Sequence, residues 1–424
     1  MKTYSIKIIF CLTLGLITTN VSAAEISQQD VLNHYADIAL MTYSDSLTAA
    51  QEMHTALEKL VAEPSTESIT AARTAWRDSR VPYMQTEAYR FGNPIVDNWE
   101  GKVNAWPLDE GLIDYVDNSY GTDSLDNPLY TANVVANKTF KLSGNTVDAS
   151  NINKKLLTDT LHEIDGVEAN VATGYHAIEF LLWGQDLNGT EAGAGDRPAT
   201  DFDVDNCSNG NCQRRADYLL TSSELLIDEL EWIIAQWQTD GAARQTLLAD
   251  ESAGITAILT GMGSLSYGEM AGERMKLGVL LHDPEEEHDC FSDNTHFSHY
   301  YDLVSIQNVY TGNYTTIDGT QISGPSVSDL VNAADQATNE ELLAQITNSI
   351  SKAQIIVDSA EKDGVAYDQL LAENNSAGNA KIMNVVNALL EQTKGIEKAV
   401  SVLGINQLEI EGSDSLDSPT AIFQ

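Results

Sequence analysis

The chain has 424 residues, 63 of them acidic against 23 basic, for a formal net charge of −40. That balance repels nucleic acid and anionic membrane and draws cations toward the surface, although surplus acid is also an ordinary solubility device. Roughly 400 residues beyond a leader exceed one ordinary core, so two domains or two packed bundles are expected.

The first residues read as a secretory leader. Lys2 and Lys7 precede an apolar run from Ile8 to Ile17, and Val21-Ser22-Ala23 is the small-x-small pattern of a signal-peptidase site, so residues 1–23 are expected to be removed. Cys11 lies inside the apolar run without the small residues that precede a lipidated cysteine. Losing Lys2 and Lys7 takes the charge from −40 to −42. No later segment holds the roughly 18 uninterrupted apolar residues of a membrane span, so an exported, soluble chain is expected.

Helical periodicity dominates the remainder of the chain. Ser27 to Ala62 reads as one long helix, capped by Ser27 or Asp30 and stopped before Pro64. A second helix runs from about Thr66 to Phe91, with Pro82 as a kink. On it Trp76, Arg80, Tyr83 and Glu87 share one stripe, so a bundle seam carries aromatics and charges. A solvated face with ordinary surface pairing is the alternative, and the two aromatics favour partial burial. From Trp106 to about Ser150 the chain is rich in Asn, Asp, Gly and Thr and reads as an irregular insertion with a small hairpin or short helices. Asp109 and Glu110 stand beside a turn at its start.

Helical pattern returns from Ile152 through Trp183 and contains Gly174-Tyr175-His176-Ala177-Ile178-Glu179. Residues at i and i+3 share a helix face, so His176 and Glu179 enter a segment that is otherwise apolar. A buried His and Glu must be hydrogen-bonded, mutually paired or bound to a metal. A satisfied structural ion pair is the bland alternative to a site. Gly184 supplies a helix stop.

A polar, Gly-rich stretch from Gln185 to Asn211 separates an N-terminal half, 24–195, from a C-terminal half, 212–405. Asp201, Asp203 and Asp205 alternate like the first ligands of a calcium loop, but Asn206 replaces the glycine and Cys212 the bidentate glutamate, so calcium is not expected in that loop. Cys207 and Cys212 flank the turn-forming Ser-Asn-Gly-Asn and favour a small disulfide loop; a bridge from Cys290 to either remains open.

In the second half, helices are expected near Gln213 to Thr239, Ala243 to Leu281, Ser326 to Lys362 and Tyr367 to Leu403, before a flexible acidic tail, 406–424. Gly261, Gly263, Gly268, Gly272 and Gly278 each cost about 1 kcal/mol of helix propensity, which points to close backbone packing or a local break. The stripe Tyr267, Met270, Arg274 and Leu277 brings a guanidinium among apolar groups. The loop from His282 to His299 holds four of the eight histidines among many acids, offering either metal ligands or a solvated acidic surface. Strand alternation is scarce. The fold class is therefore all-α: two antiparallel helical-bundle halves, an irregular insertion at about 106–150 and a polar site between helices.

No Gly-x-Ser-x-Gly, papain-like cysteine context, phosphate-cradling glycine loop or His-Glu-x-x-His is present, and the inverted His-x-x-Glu-His pattern fails at Phe180. One His and one Glu supply two ligands, whereas a hydrolytic zinc needs a third and usually a separate base.

The stretch 174–179 resembles the Gly-x-His-x-x-Glu signature of the imelysin-like family, which includes insulin-cleaving bacterial proteins, iron-regulated protein A and the periplasmic component of a bacterial iron-uptake system. Three further stretches look like the iron-regulated protein A branch: Ala75 to Ala88, Trp106 to Gly111, and Gly272-Glu273-Arg274 followed by the His/Cys loop. The resemblance implies two bundle-like halves with a site around His176 and Glu179, and a periplasmic or outer-membrane-associated protein of iron uptake or homeostasis. Iron would be held by His176 and Glu179, with Glu87, Asp109 and Glu110 as supporting carboxylates. Arg80 and Arg274, beside Trp76 and Tyr83, would orient them or bind an anion. It also implies an iron-uptake membrane component as partner. The alternatives are a metallopeptidase using His176 and Glu179 on zinc, with Glu87 or Glu110 as base, and a non-catalytic surface interaction protein.

Overall fold

The computed structural model describes residues 26–122, 124, 127–142, 144–406 and 408–423; the expected leader lies outside them. Helix α1 (Gln28–Ala62) opens on a reciprocal cap: Ser27 Oγ accepts from the Asp30 amide at 3.1 Å, and the Asp30 carboxylate accepts from the Ser27 amide at 3.2 Å. Helix α2 (Thr66–Met84) opens on Ser65 in the same way. It stops short of the expected Phe91, because Pro82 cannot donate to the ladder, and the chain passes through a separate 3-10 turn, Glu87–Tyr89.

Helix α3 (Pro94–Asn104) and helix α4 (Gly174–Trp183) pack together, α4 also against α2. Helix α5 (Cys212–Trp237) was expected to open the second half. It lies instead against α1, α3 and α4, because its buried face of Ala216, Leu219, Leu226, Leu230 and Ile233 completes the first bundle. The change of bundle therefore falls after Trp237. The second bundle comprises α6 (Glu251–Ser264), its π-helical continuation Leu265–Lys276, α7 (Thr295–Thr311), α8 (Gln336–Glu361) and α10 (Ser376–Val402), with the short α9 (Tyr367–Leu371) before it. The bundles meet where α2 contacts α7 and α1 contacts α6, and one apolar core runs through both.

The insertion holds short helical turns and the hairpin β1 (Thr139–Leu142) with β2 (Asn145–Asp148); a second hairpin pairs β3 (Asn313–Thr315) with β4 (Gln321–Ser323). Three expectations are corrected. The stretch from Ile152 to Trp183 is not one helix: Glu163 and Asp165 adopt left-handed φ of 50° and 59°, breaking it into turns before α4. The histidine loop ends in a true helix, α7, whose mixed polarity hides its face in the sequence. The tail 406–424 is not loose along its described part: Ser413 and Ser415 are buried against the π segment, and Ser415 Oγ donates to Gly272 O at 2.9 Å. Its backbone fits because Gly268 and Gly272 lack side chains; a Cβ on Gly268 would stand 2.5 Å from Glu411 O. Among the described residues no helix is long and apolar enough to cross a membrane.

Candidate metal centre

All ten residues of α4 are buried. Gly174 is required at its start, with φ +83° and a missing Cβ that would lie 2.4 Å from Val103 O, and Gly184 ends it with its amide donating to Phe180 O at 2.7 Å. This close approach to α3 sinks the His176 and Glu179 side chains into the interior. His176 Nδ1 and Glu179 Oε2 are 3.0 Å apart, and Glu179 Oε1 accepts from the Ser292 amide at 3.0 Å and from Ser292 Oγ at 2.6 Å. Both Glu179 oxygens are thus engaged, while His176 Nε2 is buried without a hydrogen-bond partner.

The loop after the π segment brings His288 and Asp289 to that imidazole. The rings of His176 and His288 are 4.8 Å apart between centroids and nearly perpendicular, at 77°. Among the described residues, one donor atom from each of His176, His288 and Asp289 lies within 4.8 Å of the others. Asp289 is held from behind by Arg80 Nη2 at 2.8 Å, Asn294 Nδ2 at 2.9 Å and Ser298 Oγ. Arg80 in turn donates to Asn104 Oδ1 at 2.6 Å and lies over the rings of Trp76, Tyr83 and Tyr175. The α2 stripe is buried and aims its guanidinium at the centre.

Burial, followed by the Arg80 charge, pulls the His176 imidazole down to about 3. His288 is lowered well below its ordinary value, again by burial first and then Arg274. Burial alone would raise Asp289, but Arg80, His176 and the hydroxyl and amide donors outweigh it and hold the carboxyl at about 2. Glu179 moves the other way, raised by burial and then by Asp289. Near neutral pH the imidazole pair is uncharged, and the contact between His176 Nδ1 and Glu179 Oε2 is held by a proton on one of the two.

The other sequence candidates lie around this centre. Glu87 Oε2 accepts from Arg274 Nη2 at 2.8 Å, and Arg274 also binds Glu269 at 2.6 Å and Asp302 at 3.1 Å, a buried ion cluster beside a cavity of about 450 Å³ that His288 also lines. Asp109 accepts from Asn127, and Glu110 accepts from Gln185 Nε2 at 3.3 Å; both line a separate cavity of about 380 Å³, divided from the first by Trp106 and Pro107. Cys207 and Cys212 are disulfide-bonded, Cα atoms 5.9 Å apart, and Cys290 is a free thiol.

Of the four loop histidines only His288 joins the centre. His282 Nδ1 meets Leu371 O, His296 Nε2 meets Glu361, and His299 stacks edge-on against Tyr367. Sequence reasoning missed Asp289 and Ser292. The dense loop of histidines and acids was the available signal, but spacing along a loop does not say which side chains turn inward.

A family profile described as imelysin matches residues 39–396. Over 90 residues, 21% of this chain and 25% of the relative, the sequence is 29% identical to an iron-regulated protein A from Synechococcus elongatus, so the match spans about a quarter of that relative. Two crystal structures share the fold. A protein described as an iron-regulated protein A precursor from Parabacteroides distasonis superposes with a TM-score of 0.65 at 18% identity, covering 90% of this chain and 97% of that one. An imelysin-like protein from Psychrobacter arcticum gives 0.56 at 14% identity, covering 91% and 99%.

Proposed function

This chain belongs to the imelysin family, and from that premise we propose that it is an exported metal-binding protein of iron uptake or homeostasis, with His176, His288 and Asp289 as the protein ligands. One observation carries the reading: a fully buried imidazole with one nitrogen left without a partner stands beside a second imidazole and a carboxylate, one donor atom from each lying within 4.8 Å of the others. An orphaned buried polar atom costs free energy, and a cation in the gap would remove that cost. Two imidazoles and one carboxylate suit ferrous iron, with further positions left open. Glu179 then acts as the orienting carboxylate, accepting from His176 Nδ1–H while Nε2 turns to the ion. This changes its expected role from ligand to support, because the donors that converge come from His176, His288 and Asp289, whereas Glu179 sits on His176 Nδ1 and Ser292. Glu87 likewise supports through Arg274.

The same donors also suit a catalytic zinc, which keeps a peptidase as the second reading. Against it stands the state of the three expected bases: Glu179 is held by His176 and Ser292, Glu87 by Arg274, and Glu110 borders the separate cavity. All three ligands are also buried, which suits an ion better than an extended polypeptide.

Metal analysis of purified protein after anaerobic loading with ferrous iron, paired with an assay for cleavage of an unfolded polypeptide, tests the proposal. Bound iron that disappears in His176→Ala, with no proteolysis, is expected. Iron retention in that variant overturns the ligand assignment, and metal-dependent cleavage lost in Glu179→Gln establishes the peptidase.

A further inference from the structure

Arg197, 3% exposed in the polar stretch after α4, takes no part in the metal centre. Its Nη1 donates to Asp114 Oδ2 at 2.8 Å and to Asp201 Oδ2 at 3.1 Å, and its guanidinium carbon lies 4.7 and 5.4 Å from the ring centroids of Tyr115 and Phe180. The group is therefore held by one nitrogen and by the rings beside it. Nε and Nη2 are buried without a hydrogen-bond partner. The covalent frame points those two N–H bonds the same way, at the spacing of the two oxygens of a carboxylate. A charged donor pair left bare in the interior is costly, and an oxyanion against it removes that cost.

Arg197 and Gly184 line one cavity of about 380 Å³, a volume that suits a small organic molecule. A Cβ built on Gly184 would find Arg197 Cβ, Nε and Nη2 as its nearest neighbours, at 3.6, 3.7 and 3.8 Å, so the glycine leaves room for an atom beside both free nitrogens. Trp183 and Leu187 give the same cavity apolar walls, and Leu187 is 63% exposed. Arg73 and Arg77 stand over the Trp183 ring at 5.5 and 5.2 Å, which puts two further guanidiniums behind that wall in a chain of net charge −40. Asp117 and Asp196 also line the cavity and are exposed, so a second negative charge on a ligand would meet repulsion.

We propose that this cavity binds a small monocarboxylate with an apolar body. Its two oxygens accept from Arg197 Nε and Nη2, and its body lies against Trp183 and Leu187. The free edge of a buried guanidinium beside a side-chain-free position carries the assignment, which does not depend on the metal reading.

Calorimetric titration of the purified protein with phenylacetate, against phenylacetamide and inorganic phosphate, tests this. Wild type and His176→Ala are expected to bind one phenylacetate per chain, and to bind the amide and phosphate about tenfold or more weakly, since neither offers a singly charged pair of oxygens on an apolar body. Arg197→Lys keeps the charge but lacks the fork, and a loss of about tenfold or more is expected. Leu187→Glu should weaken phenylacetate binding by a similar factor, while Asp196→Asn, which removes a like charge, should strengthen it. The proposal is overturned if folded wild type binds no phenylacetate, or if the amide binds as tightly. Should circular dichroism show Arg197→Lys unfolded, Leu187→Glu and Asp196→Asn, at exposed positions, decide the matter: an affinity unchanged in both overturns the site.

Discussion

Two buried polar clusters lie within reach of α4, and they are built to opposite ends. In the first, Asp114 accepts from Arg197 Nη1 at 2.8 Å and from Arg215 Nε and Nη2 at 2.5 and 3.1 Å. Asp201 accepts from Arg197 Nη1, Tyr115 OH and Asn209 Nδ2, and its carbonyl accepts from Arg215 Nη1. Two acids meet two arginines, every carboxylate oxygen is filled, and the Arg197 guanidinium lies over the rings of Tyr115 and Phe180. In the second, Asp289 is equally well held by Arg80, yet the imidazole facing it keeps an unfilled nitrogen. Burial and charge alone therefore do not distinguish structural support from a binding centre. The kind of unfilled atom does: in the first cluster Arg197 Nε and Nη2 are left over, donors that cannot bind a cation, whereas His176 Nε2 is an atom that can.

The sharpest way to break that contrast is to strip the closed cluster. Arg215→Met leaves Asp114 and Asp201 short of a counter-charge, and a loss of about 3–5 kcal/mol is expected in urea unfolding. A loss near that of an exposed ion pair would show that the closed cluster is not structural.

In the open cluster the largest effect should fall on binding. His176→Ala is expected to weaken iron binding by more than the roughly 10–100-fold that outer partners cost, with some loss of urea stability as well, because the buried ring that pairs with Glu179 is removed. Glu179→Gln should fall within that 10–100-fold range, read by competitive chelator titration. If it abolished binding as completely as His176→Ala, Glu179 would be a ligand after all.

The smallest effect concerns protons. Glu179 is raised by burial and by Asp289, so below that raised value an arriving cation has to expel its proton. Affinity should therefore fall as pH falls below the Glu179 value, by about tenfold or ~1.4 kcal/mol per unit. His176, already near 3, adds no competition until strong acid. Calorimetry in buffers of different ionisation enthalpy, run below the Glu179 value, should count about one proton released per ion, and a count of zero there would remove Glu179 from the linkage.

Much of this was legible along the chain because it is local. Ser27 and Ser65 announce the starts of α1 and α2 through caps that involve residues three positions apart, and the turn between Cys207 and Cys212 leaves those thiols near one another. His176 and Glu179 share a helix face for the same reason. The glycine density near Gly268 and Gly272 also signalled close packing, though not that the tail would be what packs there. What misled was distance in sequence. The polar gap before Cys212 looked like a boundary between halves, yet α5 fills the first bundle.

By itself, then, the sequence determined the all-α class, the family and the buried imidazole with its neighbouring carboxylate, since helix periodicity and i, i+3 geometry act over a single turn. Only the tertiary structure decided what that imidazole faces. His288 and Asp289 lie more than a hundred residues further on, in a loop with no period, and they reach His176 because the packed bundles bring the loop to α4 while Arg80 and Ser292 hold the donors in place. Tertiary packing also left the Nε2 atom unfilled, which no local rule anticipates because a missing partner is a property of the whole enclosure.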